Sequence, residues 1–160
     1  MRRAILAGSF DPITLGHVDI VKRAVQLFDE VYVVVGNNTS KKTLFSLDDR
    51  IEMVKDTFHG SDKIIVDSHS GLIADYAKEH SIGYLIRGIR NSIDAQYEIE
   101  LAMNNKFLND SLETVILPAS KEHMITSSSQ IRQFISFGVD ISSFVPSCVV
   151  EKVKLITSCI

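Results

Sequence analysis

The chain has 160 residues, 45% of them hydrophobic and 23% charged, with a net charge of −3. That length suits one domain able to bury about two-thirds of its unfolded surface, and that composition excludes a disordered chain. Mild acidity argues against a broad nucleic-acid-binding face; a small molecule is the expected partner, with local basic clusters available for a polyanion.

Met1-Arg2-Arg3-Ala4 runs into too few apolar residues for a signal-peptide core, and no stretch approaches the length of a membrane span, so a cytoplasmic location is expected. Ala4-Ile5-Leu6-Ala7 predicts a strand, and Val18, Val21, Ala24, Val25 and Phe28 recur at helical spacing after it. Val31-Tyr32-Val33-Val34-Val35 is β-branched and uniformly apolar, as a central strand covered on both faces must be. Ser46 with Asp49 predicts a capping box, opening a helix with Leu47, Ile51, Val54 and Phe58 on its buried stripe. Ile64-Ile65-Val66, a helix over 72–80, Tyr84-Leu85-Ile86 and a longer helix over 93–109 come next. Thr114-Val115-Ile116-Leu117 makes a fifth strand stopped by Pro118, a helix over 128–137 is closed by Gly138, and a last helix follows Pro146. Repeated strand–helix units need right-handed crossovers. The predicted fold is therefore α/β: a Rossmann-like parallel five-stranded sheet with helices on both faces, in a single domain over 1–160.

Several residues read as structural. Cys148 and Cys159 belong to no Cys-x-x-Cys or zinc pattern and are expected to be reduced thiols. His59, His69 and His80 lack metal-ligand spacing and read as exposed helix or loop histidines. Glu98 and Glu100 fall on different faces of one helix, which weakens a paired-carboxylate mechanism, and Met103 and Phe107 read as core or subunit contact.

In such sheets ligands bind outside the carboxyl ends of the strands, and the polar segments of this chain sit there. After the first strand, Gly8-Ser9-Phe10-Asp11-Pro12-Ile13-Thr14-Leu15-Gly16-His17 puts His17 at a helix start, where unpaired N–H groups attract anions and disfavour an imidazolium. The same residues would also serve an ordinary tight connection. Lys41 and Lys42 follow the second strand, as a phosphate contact or a solvated pair. Arg87-Gly88-Ile89-Arg90 follows the fourth, with planar forks that suit phosphate oxygens or that Glu98 and Asp94 could neutralise. Ser120-Lys121 and Ser127-Ser128-Ser129 follow the fifth, the serines starting a helix as an anion site or as an N-cap. Neither a P-loop nor a dinucleotide fingerprint occurs.

These segments, with Ser40-Lys41-Lys42, Leu85-Ile86-Arg87-Gly88-Ile89-Arg90, Asp94-x-x-Tyr97-Glu98, Ser120-Lys121-Glu122 and Ile125-Thr126-Ser127-Ser128-Ser129 in order, closely resemble the bacterial phosphopantetheine adenylyltransferases nearly end to end. Thr-x-Gly-His alone marks only the wider nucleotidyltransferase superfamily. The resemblance implies reversible adenylyl transfer from ATP to 4′-phosphopantetheine, giving dephospho-coenzyme A and pyrophosphate, the penultimate step of coenzyme A synthesis, by direct in-line displacement. It implies His17 as transition-state stabiliser, with Lys41 and Arg90 completing the catalytic set. It implies Ser9, Lys41, Ile73 and Arg87 as acceptor contacts, and Ser9, Phe10, His17, Gly88, Ile89, Arg90, Glu98, His123, Met124, Ile125, Thr126, Ser127, Ser128 and Ser129 as ATP contacts. Magnesium would arrive on the triphosphate, with no metal site on the chain itself, and the family assembles as a homohexamer.

The chain departs from the family pattern at Ser9, where threonine is common, and at His123-Met124, where an aromatic and a small residue are common. The first loosens a rotamer; the second bears on adenine stacking. A nicotinate-mononucleotide adenylyltransferase or a glycerol-phosphate cytidylyltransferase would keep the scaffold, but the triple serine and Arg-Gly-Ile-Arg argue against both. A nucleotide-binding regulator without turnover is disfavoured by His17, Lys41 and both arginines, and a tRNA-charging enzyme by the absence of room for an anticodon-reading module.

Overall fold

A computed structural model describes residues 1–38 and 40–157. Cys159, and with it any pairing to Cys148, lies outside the described residues. Five strands, β1 (Arg3–Gly8), β2 (Glu30–Gly36), β3 (Ile64–His69), β4 (Tyr84–Ile89) and β5 (Glu113–Pro118), form one sheet in the order β3-β2-β1-β4-β5, with every pairing parallel. The helices between and after them are α1 (Leu15–Leu27), α2 (Leu47–Thr57), α3 (Ile73–Glu79), α4 (Ser92–Leu108), α5 (Ser128–Ser136) and α6 (Ser147–Thr157), with a 3-10 turn at Lys121–His123. The predicted α/β sheet and its helices are all present, with most ends shifted by about a residue; β3 and β4 run three residues past the predicted ends, so Arg87, Gly88 and Ile89 belong to β4 instead of following it. Pro118 is the last residue of β5 instead of lying beyond it, paired in register with Ile89; an edge strand tolerates the missing donor.

Alternation along the strands assigns the two faces. Ala4 and Leu6 with Val31, Val33 and Val35 pack with Val18 and Val21 of α1, Met53 and Val54 of α2, Ile131 of α5 and Val149 of α6. Ile5, Val34 and Leu85 turn the other way, onto Tyr76 and Ala77 of α3, and α4 lies against α3, tied by Asn109 Nδ2 donating to the Ala74 carbonyl. The uninterrupted apolar run of β2 thus reflects cover on both sides.

The sequence reading needs three corrections here. Ser46 does cap α2 by accepting from the Asp49 amide, but the Asp49 carboxylate accepts from the Ser46 hydroxyl and does not reach the backbone N–H of a capping box. The box is at α1, where His17 does what Glu or Gln usually does. His69 ends β3, half-buried against Tyr76, and is neither exposed nor in a loop. Met103 and Phe107 are 69% and 90% exposed, which rules out the core.

Strand pairing also creates the crevice. Sheet order reverses beside β1, and β1 pairs with β4 only from Ala4↔Tyr84 to Leu6↔Ile86, whereas its ladder with β2 runs on to Gly8↔Val35. β1 and β4 therefore part early at their carboxyl ends, and ligands of open α/β sheets bind at such switch points. Among the described residues no helix is long and apolar enough to cross a membrane.

Candidate active site

The fork between β1 and β4 opens into a cleft of about 530 Å³, lined among others by Ser9, Phe10, His17, Lys41, Arg87, Gly88, Arg90, Glu98, His123 and Ser127–Ser128. Gly88 lies on its wall, where a Cβ would come into contact with the Ile20 side chain of α1 at 3.4 Å.

His17 sits in the first turn of α1, fixed from three sides. Its Nδ1 accepts the Thr14 backbone N–H at 3.0 Å, the Thr14 hydroxyl lies 3.0 Å from the same nitrogen, and the Phe10 ring meets it edge-on with centroids 5.0 Å apart. An amide can only donate, so Nδ1 carries the lone pair and the neutral ring holds its proton on Nε2. Burial, with the charges of Arg87 and then Arg90, lowers the pKa of His17 to about 4. At neutral pH the ring is an uncharged donor.

The two arginines answer both earlier readings at once. Arg87 makes a two-pronged ion pair with Glu98, at 2.6 and 2.7 Å, and its Nη1 donates to the Ala7 carbonyl at 2.9 Å, across the gap where the β1–β4 ladder has ended. Arg90 pairs through Nε with Asp94 at 2.9 Å, and this bond holds the Asp94 carboxyl below its usual range. Each arginine is neutralised and still lines the cleft; among the described residues Nη1 of Arg90 has no partner. Glu98 is 6% exposed with both oxygens on Arg87, so its place in the site is behind the guanidinium, where it orients Arg87.

The serines divide similarly. Ser127 caps α5 by accepting from the Gln130 amide, Ser128 donates to the Pro12 carbonyl at 2.8 Å, and the Ser129 hydroxyl accepts from Arg132. Ser127 and Ser128 with Thr126 line the cleft, and Ser129 lies outside its lining. His123 closes over α1, its Cβ 3.6 Å from where a Gly16 Cβ would be. Four other expected contacts do not line the cleft. Met124 and Ile125 stand 49% and 72% exposed, Ile89 is engaged in the β4–β5 ladder, and Ile73 packs on the far-face core at the start of α3. Lys41 lines the cleft, but Lys42 and Lys121 do not, and Ser120 spends its hydroxyl on Asp19.

Two buried ionic residues escaped the sequence reading. Asp11 is 2% exposed, and its carboxylate accepts the amides of Leu44 and Phe45, each at 2.9 Å, which pins the segment after Lys41 to the loop after β1. Arg50, in the first turn of α2, is 3% exposed and donates to the Ser9 and Gly36 carbonyls. A charged residue on a helix stripe gives little signal of burial, and an Asp before Pro reads as a turn.

Residues 5–134 match the family model described as cytidylyltransferase-like. The chain is 43% identical over 157 residues to a phosphopantetheine adenylyltransferase of Coprothermobacter proteolyticus, covering 96% of each. It is 45% identical over 142 residues to that of Thermotoga neapolitana, covering 89% of this chain and 88% of the relative. The chain belongs to the phosphopantetheine adenylyltransferase family. A third member, from Psychromonas ingrahamii, is 44% identical over 149 residues, with 93% and 92% covered. As a member of the phosphopantetheine adenylyltransferase family it is a nucleotidyltransferase of coenzyme A biosynthesis. The cleft is then where two phosphate-bearing reactants of such a transfer would meet, with a neutral imidazole donor and two guanidinium groups at its fork.

Proposed function

We propose that the chain transfers the adenylyl group of ATP to the phosphate of 4′-phosphopantetheine, forming dephospho-coenzyme A and releasing pyrophosphate. The observation that carries this reading is the Nε2–H tautomer of His17, lining one cleft with Lys41, Arg87 and Arg90. An oxygen of the acceptor phosphate attacks the α-phosphorus of ATP in line; the new P–O bond forms as the bond to the pyrophosphate oxygen breaks, and the electron pair leaves with pyrophosphate. Little covalent chemistry falls to the protein, so rate comes from positioning and from charge stabilisation.

In this reading Lys41 and Arg87 hold the acceptor phosphate beside Ser9, with Ile73 farther along the acceptor. His17 donates from Nε2 to the α-phosphate as charge builds there, a task for which a neutral ring loses nothing to burial. Arg90, through its open Nη1, and the start of α5 at Thr126, Ser127 and Ser128 receive the β- and γ-phosphates, while Phe10, Gly88 and His123 surround the nucleotide and Glu98 acts through Arg87. Magnesium would neutralise triphosphate charge when bound. Both carboxylates of the cleft are engaged by arginine, so the ion's ligands would come from phosphate oxygens.

We also infer a cytoplasmic homohexamer. Ile99, Met103 and Phe107 form an exposed stripe along α4 at 52%, 69% and 90%, a face suited to another subunit. Sedimentation velocity tests the assembly, with a monomer as the contrary result. For the reaction, purified protein with magnesium is given ATP and 4′-phosphopantetheine, ATP and nicotinate mononucleotide, or CTP and glycerol phosphate. Pyrophosphate release is expected from the first pair; release from either other pair alone, or from none, would reject the assignment.

A further inference from the structure

Central strand β1 parts from both neighbours at its carboxyl end, and an arginine stands in each gap. Toward β4, Arg87 reaches the Ala7 carbonyl from the cleft side. Toward β2 the last rung is Gly8↔Val35, and the next carbonyls out, Ser9 and Gly36, both accept from Nη1 of Arg50 at 2.7 and 2.9 Å.

Arg50 is an expensive residue to put in this place. It is 3% exposed, its Nε is buried without a partner, and among the described residues no carboxylate pairs with it within 4 Å, the buried Asp11 favouring its charge only from farther off. A guanidinium so poorly compensated weakens a fold, and an apolar side chain on α2 would fill the same volume. What it holds is the loop that needs holding. Phe10, next to Ser9, has φ of +46°, a region that non-glycine residues occupy only when their surroundings impose it.

We propose that Arg50 is a positioning residue for adenylyl transfer, its guanidinium standing in for the missing rung between β1 and β2 and fixing the Ser9 loop against the loop that carries Lys41. The inference rests on the proposed reading that Ser9 and Lys41, from those two loops, share the acceptor phosphate. Their separation is then set by Arg50, which lies outside the cleft lining and touches neither reactant. Apart from Ser9 and Phe10, which share the held loop, the ATP contacts gather on β4, α1 and α5, away from that gap.

The test compares wild type with Arg50→Met, which keeps length and loses both bonds, and Arg50→Lys, which keeps the charge and can serve one carbonyl. Thermal midpoint, kcat and the KM of each substrate are measured. In Arg50→Met the KM for 4′-phosphopantetheine is expected to rise about tenfold or more while that for ATP stays within about twofold, with Arg50→Lys in between. In a cycle with Lys41→Ala the two losses are expected to combine to less than their product. An unchanged acceptor KM, equal rises for both substrates, or independent losses in the cycle would overturn the proposal. Should Arg50→Met not fold, the same split and the same cycle are read in Arg50→Lys, with the same outcomes deciding. A wild-type enzyme that ignores 4′-phosphopantetheine sinks the functional reading itself; wild-type turnover with unaltered constants in the variants sinks only the role of Arg50.

Discussion

The Thr14 amide donates to Nδ1 of His17 over 3.0 Å, so one backbone bond both closes the start of α1 and decides which imidazole nitrogen faces the cleft. Structure and chemistry meet in that bond. Removing the ring in His17→Ala is expected to lower turnover about a hundredfold or more, the scale for losing one preorganised donor, with KM values changed far less. Steady-state kinetics checks this, and unchanged turnover would remove His17 from the mechanism.

The pH dependence follows from the same ring. Its pKa is lowered in the folded state, from 6.5 to about 4, so between those values the unfolded chain binds the extra proton. The stability this neutral histidine contributes is complete above pH 6.5 and is lost as pH falls toward 4. Denaturant melts at pH 7 and pH 4.5 are expected to show wild type losing more stability over that drop than His17→Ala. Equal losses would mean that the ring titrates normally.

Glu98→Gln separates two roles for a buried carboxylate. Both oxygens of Glu98 are on Arg87, so the substitution should free the guanidinium and weaken the acceptor more than ATP. A rise of about tenfold in the acceptor KM is expected, with ATP affinity nearly intact by calorimetry. A selective loss of ATP affinity would instead make Glu98 a direct nucleotide contact.

Asp11→Ala removes the acceptor for the Leu44 and Phe45 amides and leaves buried donors unsatisfied. A loss of about 2 kcal/mol is expected, read from urea unfolding, and turnover should fall as the Lys41 segment loosens. Stability within a few tenths of wild type would show that water replaces the carboxylate.

For Lys41→Ala, acceptor affinity and rate are expected to fall while ATP binding holds, as for a point charge on one phosphate. Calorimetric titration with each reactant separates the cases, and a selective loss for ATP would reassign the residue.

Much of this was legible in the residues themselves. The β-branched run of Val31–Val35 marked the doubly covered strand, and polar clusters after successive strands marked one rim of the sheet, because parallel topology carries every strand's carboxyl end to the same side. Local signals also located His17 at a helix start and Ser127 at a cap. What stayed hidden depends on distance through space. Arg50 meets Ser9 and Gly36 from 41 and 14 residues away, and Asp11 meets Phe45 from 34; periodicity cannot report partners so far apart. Ile73 was marked only by its likeness to a contact residue, and nothing in the local pattern showed that its side chain, at the start of α3, packs on the far-face core.

The most direct measurement is the stereochemical course at the α-phosphorus, followed with ATP made chiral at that centre and 4′-phosphopantetheine as acceptor. One displacement between two phosphates held at the β1–β4 fork inverts the configuration. Retention would require an intermediate on the protein, and would contradict the account.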